Sequence, residues 1–390
     1  MLHNIKPQDC SGCTACKSIC PRQCISMKPD GLGFLYPIID TDICIDCGLC
    51  EKVCPFNTTY KTPDNLAQPL FFASRQQNIK EVEKSRSGGI FAALSDEILA
   101  DDGVIYGAGY DNTFRVLHKR AVTKEQRDEF RGSKYVQSDL TDIFKQVETD
   151  LKNNRKVMFT GTPCQTAGLQ SYLRLKKINR ENLIICDIVC HGVPAPFIWR
   201  DYLKYIEKKE GKEIIGVNFR DKSQFGWAAH KESFKLNDTY TYTYTYTYTF
   251  YKHIMFRHSC GCCPFTNLRR TGDITLADYW GWEKTDRNIN ADDKGVSLLL
   301  INTEQGKLLY SRIADKVISI QTTLDKCMQP NLSHPSVIHP KRQQFEEYYI
   351  KYGFYPAMRK FALMGYKFKI RQIYRKSFHI IQAIYRKIFN

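Results

Sequence analysis

Two copies of one cysteine pattern lie within the first 55 residues of this 390-residue chain. Each copy reads Cys-x-x-Cys-x-x-Cys-x-x-x-Cys-Pro, beginning once at Cys10 and again at Cys44. An internal repeat of this kind is most simply two copies of one small structural unit. Because disulfide frameworks are spread through short secreted chains, thiols clustered at one end of a long chain indicate metal binding. The pattern therefore predicts a small N-terminal domain organised around metal.

The spacing of these thiols is typical of 4Fe-4S clusters of the bacterial ferredoxin kind. In two-cluster ferredoxins, the fourth cysteine of each run binds the cluster held mainly by the other run. Zinc also binds Cys-x-x-Cys pairs, but it closes with four ligands and does not explain two runs that each end in Cys-Pro. We therefore predict two clusters, and Cys24 receives no role. Their ligand sets are Cys10, Cys13, Cys16 and Cys54 for one, and Cys44, Cys47, Cys50 and Cys20 for the other.

The net charge of +16 comes mostly from the C-terminal end. Residues 351–390 contain ten Lys or Arg and no Asp or Glu. No nucleic-acid-binding motif accompanies this charge, so nucleic acid is not an expected partner. The chain contains no signal-peptide pattern and no apolar run of the ~18 residues that a membrane span needs. We expect a cytoplasmic protein.

The basic tail, residues 346–390, is predicted to form an amphipathic helix. Its apolar stripe comprises Ile370, Ile373, Tyr374, Ile381, Ile384, Tyr385 and Ile388, and its basic face comprises Arg371, Arg375, His379 and Arg386. Such a helix binds an anionic membrane surface or an acidic partner, or packs on its own protein. Two interpretations stay open: the helix binds a membrane or an acidic partner, or it packs on its own protein. Membrane binding would place the protein peripherally at the inner face of the membrane.

Between the cysteine repeat and the tail, the pattern alternates between strands and helices. A polar segment at residues 57–68 predicts a linker. After it, a helix is expected to end near Gly103, strands are expected near residues 103–110, 155–161 and 182–190, and helices are expected to start near Cys164 and Pro194. Residues 213–280 have more β signals. They include a Thr-Tyr alternation at residues 239–248 that predicts a strand with every Tyr on one face.

Two of the remaining cysteines follow neighbouring predicted strands. Cys164 opens a helix, where backbone amides and the helix dipole lower a thiol pKa, which suits a metal-bound thiolate or a nucleophile. Cys190 ends the next strand, and equivalent strand ends in an α/β sheet converge on one crevice. Cys186 and Cys327 are interpreted as core or incidental residues.

Six segments together resemble the beta subunits of deazaflavin-coenzyme hydrogenases and dehydrogenases, and related ferredoxin-fused reductases. With the cysteine repeat they cover about residues 8–282, and they read SRSGGIFAAL, RGSKYVQS, FTGTPCQTAGL, DIVCHGVPAP, HSCGCCPF and GDITLADYWG. The resemblance implies an α+β protein: a small two-cluster ferredoxin-like domain, then a mixed α/β flavin-type catalytic domain, then the basic amphipathic C-terminal helix. Its expected domains are residues 1–60, 70–155, 156–345 and 346–390.

The same resemblance implies a flavin, FAD in the family's well-described branch, and a third 4Fe-4S cluster. The implied ligands of this cluster are Cys164, Cys190, Cys260 and Cys263. Cys262 leaves the choice of thiols ambiguous, and zinc held by cysteines with His258 stays an alternative.

The implied flavin contacts are Ser87, Gly88, Gly89, Ser133, Lys134 and Tyr135. Lys134 and His191 are the candidate catalytic residues, supplying positive charge and protons. Asp273, Asp278, Trp280 and Gly281 match a late family motif in which Ala277 replaces the usual Gly.

The resulting hypothesis is an iron–sulfur flavoprotein oxidoreductase acting on a small organic substrate or coenzyme. Its expected partner is an electron donor or acceptor protein, or a small redox coenzyme. The alternatives are a non-catalytic electron-transfer subunit that feeds a partner enzyme, and an iron–sulfur redox sensor.

Overall fold

The computed structural model describes residues 6–56, 65–361, 363–366 and 368. Its strands are β1 (Ile25–Pro29), β2 (Leu35–Ile39), β3 (Leu70–Gln76), β4 (Val104–Tyr110), β5 (Val116–Ala121), β6 (Val157–Gly161), β7 (Leu183–Ile188), β8 (Gly216–Asn218), β9 (Glu232–Leu236), β10 (Thr239–Thr243), β11 (Ile274–Asp278), β12 (Ser297–Ile301) and β13 (Val317–Thr322). Its α-helices are α1 (Ala15–Ile19), α2 (Leu49–Lys52), α3 (Ile79–Lys84), α4 (Ile90–Ala100), α5 (Lys124–Asp128), α6 (Ile143–Lys152), α7 (Pro163–Leu175), α8 (Pro196–Glu210), α9 (Lys222–Phe225), α10 (Thr245–Tyr251), α11 (Glu304–Ser311), α12 (Leu324–Cys327), α13 (Arg342–Tyr352) and α14 (Phe354–Lys360). The amphipathic stripe predicted for the tail, residues 370–388, lies outside the described ranges.

An eight-stranded mixed sheet in the order β13-β3-β12-β11-β7-β6-β4-β5 forms the centre of the protein. Strands β4, β6, β7 and β11 run parallel, whereas the remaining pairings are antiparallel. The predicted domain boundary at residue 155 runs through this sheet, because β4 pairs with β6 across it. The expected α+β class, with a small ferredoxin-like domain before a mixed domain, is confirmed.

Each face of the sheet packs against helices, and the strand residues alternate between the faces. Val157 and Phe159 of β6 belong to the core formed with α6 and α7, whereas Met158 between them packs with α4 and α11. Because both faces are covered, the parallel strands are continuous apolar runs, as the sequence of β7 shows. The carboxyl ends of the parallel strands are left to form a crevice.

The N-terminal domain consists of α1, the β1–β2 hairpin and α2, and it packs on α7. Cys13, Ala15 and Ile19 share a buried apolar cluster with residues of α6 and α7. At Gly168 in α7, an added Cβ would lie 2.9 Å from the Cys13 sulfur. This close approach brings the first cysteine run against the body of the protein.

The Thr-Tyr repeat contains two kinds of secondary structure, so the prediction of one continuous strand was wrong. Residues 239–243 form β10, where Tyr240 and Tyr242 are exposed. From Thr245 onward the repeat forms α10, in which Tyr246 and Tyr248 are buried. The carboxylate of buried Glu232 accepts hydrogen bonds from the Tyr246 amide (2.8 Å) and the Thr247 hydroxyl (2.7 Å), which satisfies the start of this helix.

The predicted antiparallel element is present as the small sheet β8-β9-β10, which packs with α8, α10, α13 and α14. Strand β11, expected in the same element, instead joins the central sheet between β7 and β12. Within the described residues, no helix is long and apolar enough to cross a membrane.

Candidate functional site

The first predicted ligand set comes together inside the protein. Cys10 and Cys13 are buried, and Cys16 lies in α1. Burial raises the pKa of the Cys13 thiol well above its ordinary value, and the neighbouring Cys54, Cys16 and Cys10 raise it further. Such crowded thiols are stable as thiolates only beside a metal centre, because coordination deprotonates them. Cys54 of the second run is thus a neighbour of the first run, as crossed ligation requires.

The second set lies near the surface. Cys20, Cys44, Cys47 and Cys50 line one small cavity, and Cys47 is exposed. Cys24 lines the same cavity with its sulfur 3.3 Å from that of Cys20. The two sets therefore occupy different environments, although their sequence patterns are the same.

The third set is assembled from three separate parts of the chain. Cys164 is the second residue of α7, and Cys190 follows β7. Cys260 lies in a short 3-10 helix, His258–Cys262, with Cys263 directly after it. All four thiols line one cavity, to which Ser11 and Phe56 of the N-terminal domain also contribute.

Burial dominates the protonation of these four thiols. It raises the pKa of Cys260 to about 12 and raises the pKa values of Cys164, Cys190 and Cys263. The thiol of Cys164 lies 3.3 Å from the Thr162 hydroxyl, which lowers its pKa by less than burial raises it. A raised pKa disfavours the nucleophile interpretation of Cys164 and fits a thiol that ionises on binding metal.

Two sequence neighbours of Cys260 and Cys263, namely Cys262 and His258, do not line the four-thiol cavity. Cys262 is exposed, with its thiol 3.2 Å from the Gln8 carbonyl, and it does not line the four-thiol cavity. His258, the zinc alternative, lies 3.6 Å from Glu346 instead. No three Cys, His, Asp or Glu side chains among the described residues converge at the spacing of a single metal ion. A four-iron cluster is a larger body whose ligands stand farther apart.

A cavity of about 1330 Å³ opens at the carboxyl ends of the parallel strands. Its wall includes Thr160 and Gly161 from β6, Ile188 from β7 and Asp278 from β11. Ligand pockets commonly measure roughly 300–1,000 Å³, so this one accommodates a large cofactor or two smaller molecules. Residues 190–193 line both this cavity and the four-thiol cavity.

Five of the six predicted flavin contacts line the large cavity: Ser87, Gly89, Ser133, Lys134 and Tyr135. Gly88 does not. Its amide donates to the Ser297 hydroxyl (3.0 Å), and a Cβ at this position would collide with the Ser74 carbonyl oxygen. Close packing of the turn against β3 and β12 accounts for this glycine.

Both predicted catalytic residues line the large cavity. Burial lowers the pKa of Lys134 to about 7, and its ammonium group donates to the Arg131 carbonyl (3.1 Å). His191 and His253 are joined through their Nε2 atoms at 2.7 Å, and burial lowers the pKa of His191 to about 4. Because Nδ1 of His253 must donate to the Val337 carbonyl (2.8 Å), His253 accepts from His191. The Asn331 side chain is a further hydrogen-bond partner of His191, and it raises the pKa of His191 by less than burial lowers it.

Two family models match the chain, and they cover different parts of it. The 4Fe-4S dicluster domain matches residues 9–58, and the C terminus of the coenzyme F420 hydrogenase/dehydrogenase beta subunit matches residues 154–326. Residues 154–326 are therefore similar to the C terminus of this beta subunit, and residues 9–58 are similar to a dicluster ferredoxin domain. The resemblance inferred from the sequence motifs is confirmed: one segment matches an iron–sulfur domain and another matches a subunit of hydrogenases and dehydrogenases.

Among solved structures, one similar protein is the F420-reducing NiFe hydrogenase complex from Methanosarcina barkeri. Its matching chain is 16% identical with a TM-score of 0.46, over 77% of this chain and 94% of that chain. No curated protein matches this chain.

Two arginines that line the large cavity were missed by the sequence reasoning. Arg86 and Arg220 line the large cavity, and each has a buried Nε without a hydrogen-bond partner among the described residues. Arg220 is paired with Asp278, whereas the guanidinium of Arg86 donates to the carbonyls of Arg220 and Trp227, both at 2.6 Å. Arg86 lies within the Ser-Arg-Ser-Gly-Gly motif, so it could have been selected as a candidate from the sequence. The signal for Arg220 lay in no motif.

The two acidic residues of the late motif, Asp273 and Asp278, lie in different surroundings. Asp278 faces the cavity, whereas Asp273 is buried under the sheet, where it accepts from the Ile185 amide (2.8 Å) and pairs with Arg180 (3.1 Å). Cys186 is buried in the sheet and reaches the cavity wall, whereas Cys327 is buried in a separate apolar cluster.

Proposed function

We propose that this chain is an iron–sulfur flavoprotein oxidoreductase that exchanges electrons between a protein partner and a small organic substrate or coenzyme. The observation that carries the proposal is the wall shared by residues 190–193, which places the four-thiol cavity directly beside the large cavity. A cluster bound at the four thiols supplies single electrons at that wall. This adjacency is what electron transfer to a bound cofactor requires.

The three thiol sets are arranged as a continuous series from the surface to the cavity. Cys47 of the second set is exposed, and the charge of Cys50 in that set affects Cys16 of the first. Ser11, next to Cys10 of the first set, lines the cavity of the third. We infer that Cys20 and Cys54 complete the crossed sets and that the third set holds a cluster of its own.

The residues of the large cavity fit an anionic, planar cofactor such as FAD. Arg86 and Lys134 supply positive charge suited to phosphates, and aromatic side chains such as Tyr135 and Phe250 line the same cavity. Ser87 and Gly89 form a wall that a ring system can approach closely. When bound, a flavin supplies the exchange between single-electron and two-electron transfer.

His191 and Lys134 act on the bound molecules in this proposal. His191, held by His253 and by a side-chain hydrogen bond with Asn331, lies in the cavity wall and contacts the substrate there. Lys134 supplies a positive charge whose presence depends on pH near neutrality. The substrate itself follows from neither residue.

The partner surface is proposed to be the loop around the exposed second set. Ile43 and Ile45, on either side of Cys44, are 44% and 59% exposed, and exposed Asp42 and Asp46 flank them. An apolar patch beside acidic residues fits a redox protein whose own apolar contact patch is ringed by Lys or Arg. This surface serves the oxidoreductase and the alternative electron-transfer subunit equally.

Anaerobic quantitation of iron, sulfide and flavin in the purified protein tests the proposed function. The expected result is about twelve irons and one flavin per chain, with a yellow colour that dithionite bleaches. About eight irons without flavin would overturn the proposal and leave the electron-transfer alternative. Cys263→Ser should lower the iron content by about four atoms, whereas the matched variant Cys262→Ser should keep it unchanged.

A further inference from the structure

Arg257 is a fully buried arginine directly before the 3-10 helix that carries Cys260. Its side chain reaches into the N-terminal domain. Nε donates to the Cys10 carbonyl (2.7 Å), Nη2 donates to the Leu35 carbonyl (2.9 Å), and Nη2 also lies 3.5 Å from the Cys10 sulfur. Nη1 donates to the side-chain carbonyl of Gln137 (2.9 Å). The guanidinium is therefore fixed against the first thiol set.

Within the described residues, Arg257 donates hydrogen bonds to carbonyl oxygens and to the Cys10 sulfur, and none of them goes to a carboxylate. Asp30 is close enough for the arginine to lower its pKa, but its carboxylate accepts from the amides of Leu32 and Phe34 (both 2.9 Å) instead. The Tyr36 ring packs against the cation at 4.2 Å. A buried cation without a hydrogen-bonded anion is unfavourable, because the charge has lost its hydration.

The same guanidinium also faces the third thiol set. Arg257 lines the small cavity together with Cys164, Cys190, Cys260 and Cys263. Its charge favours the thiolate forms of Cys164 and Cys260, against the larger effect of burial. Its backbone amide donates to the Val193 carbonyl (3.0 Å), which ties it to the loop that follows Cys190. The cation thus stands between two sets of thiols.

We propose that Arg257 is a positioning residue that raises the reduction potentials of both clusters between which it stands. Reduction adds one electron to a cluster, and a fixed cation in a low-dielectric interior stabilises that added negative charge. The anions that compensate Arg257 are then the two ligated clusters. The inference rests on the proposed function only in requiring clusters at these thiols, and iron analysis tests that requirement separately.

Anaerobic redox titrations followed by electron paramagnetic resonance test this role in the full-length, cluster-loaded protein. In Arg257→Gln, the potentials of the first and third clusters should fall by about 59 mV or more, which is tenfold in a one-electron equilibrium. The cluster of Cys44, Cys47, Cys50 and Cys20 should keep its potential. In Arg257→Lys, which retains the charge, most of the shift should be absent.

A second variant reaches the same cation without removing it. Gln137→Glu introduces a carboxylate against Nη1, so it should lower the same two potentials while leaving the arginine in place. Arg127→Gln is the matched control, because Arg127 is also buried but bonds to Ala92 and Asp96, away from the thiols. It should change stability and leave all potentials unchanged.

Two results would overturn the role assigned to Arg257. One is a Gln137→Glu or Arg257→Gln protein with full iron content and wild-type potentials. The other is an Arg257→Lys protein whose potentials fall as far as those of Arg257→Gln, because geometry rather than charge would then be responsible. A wild-type protein that lacks the third cluster would count against the proposed function instead, and the potential of the first cluster would still test Arg257.

Discussion

The two cysteine runs of the N-terminal domain have the same pattern but opposite surroundings. The first run contains the small residues Ser11, Gly12 and Ala15, which are buried against the body of the protein. At Gly12 an added Cβ would lie 2.9 Å from the Arg257 guanidinium, so no larger residue fits. The second run contains Ile45 and Asp46 at corresponding places, and both are exposed. Residues between the cysteines therefore decide which thiol set lies inside the protein and which lies at its surface.

Because of this difference, the buried thiol set and the exposed thiol set should respond differently to nearby charges. A buried centre interacts strongly with nearby charges, whereas water and salt screen an exposed one. We expect substitutions around the first set to change stability and redox potential together. Substitutions around the second set should mainly change the exchange of electrons with other proteins.

The largest expected effect comes from breaking the crossed ligand sets. Cys54→Ser should remove the buried cluster, about four irons, and destabilise the whole protein, because that site lies in the core. Cys20→Ser should remove the exposed cluster and leave the central sheet folded. Iron content and thermal unfolding of the two variants, measured anaerobically, check this. Loss of the exposed cluster alone in Cys54→Ser would show that the sets are not crossed.

A smaller effect is expected where α7 touches the first run. Gly168→Ala introduces a methyl group 2.9 Å from the Cys13 sulfur, and such overpacking should lower the free energy of unfolding by about 1–3 kcal/mol. Gly216→Ala is the control, since its Cβ meets only the Lys235 side chain at 3.3 Å. Denaturant unfolding measures both. Equal stability of the two variants would mean that the docking contact is looser than described.

A third test concerns the exposed run. Ile43→Ser combined with Ile45→Ser should slow electron transfer to cytochrome c, a basic acceptor used as the probe, by about fivefold, because the apolar contact is lost. Ile318→Ser is the matched control, being 47% exposed on β13 in a different part of the molecule. Stopped-flow rates at low and moderate salt give the comparison. Unchanged rates in the double variant would place the docking surface elsewhere.

The smallest expected effect lies at the cavity end of the series. Lys134 is charged below its pKa of about 7 and neutral above it, so FAD affinity should weaken by about threefold as pH rises from 6 to 8. Lys134→Met should remove that pH dependence and bind with the weaker affinity throughout. Equilibrium fluorescence titration of the cluster-loaded, flavin-depleted protein measures it. A wild-type affinity that is constant over this range would exclude Lys134 from the phosphate contacts.

The sequence was sufficient to predict several elements of the central sheet and which cysteines lie in each of the three thiol sets. The helix that ends near Gly103, and the strands β4, β6 and β7, follow from apolar periodicity and from glycine positions. The grouping of Cys164 and Cys190 follows from their places after parallel strands. The backbone of a strand or helix repeats at a fixed period, so the apolar residues that face the core recur at that period in the sequence.

Other features depend on contacts between residues far apart in the chain, and such contacts produce no periodic pattern in the sequence. Arg257 donates a hydrogen bond to the Cys10 carbonyl, and Glu232 accepts one from the Tyr246 amide at the start of α10. In both cases the fold brings together residues that are distant in the sequence. Gly88 was assigned to ligand binding, but its packing against β3 became visible only in three dimensions. The same holds for the exposure of Cys262 beside the cavity-lining Cys263.

The Thr-Tyr repeat has a consequence for how this chain tolerates changes in length. Tandem dipeptide codons are prone to gain or lose whole units during DNA replication. One added Thr-Tyr unit within β10 preserves which face each side chain occupies, because a strand repeats every two residues. The same unit added within α10 turns all later helix positions by about 200°, exposing tyrosines that are now buried. Because the repeat is uniform from Thr239 to Thr249, an added unit gives the same sequence wherever it enters, so we expect the extra pair to be accommodated in the strand half, where every side chain keeps its face.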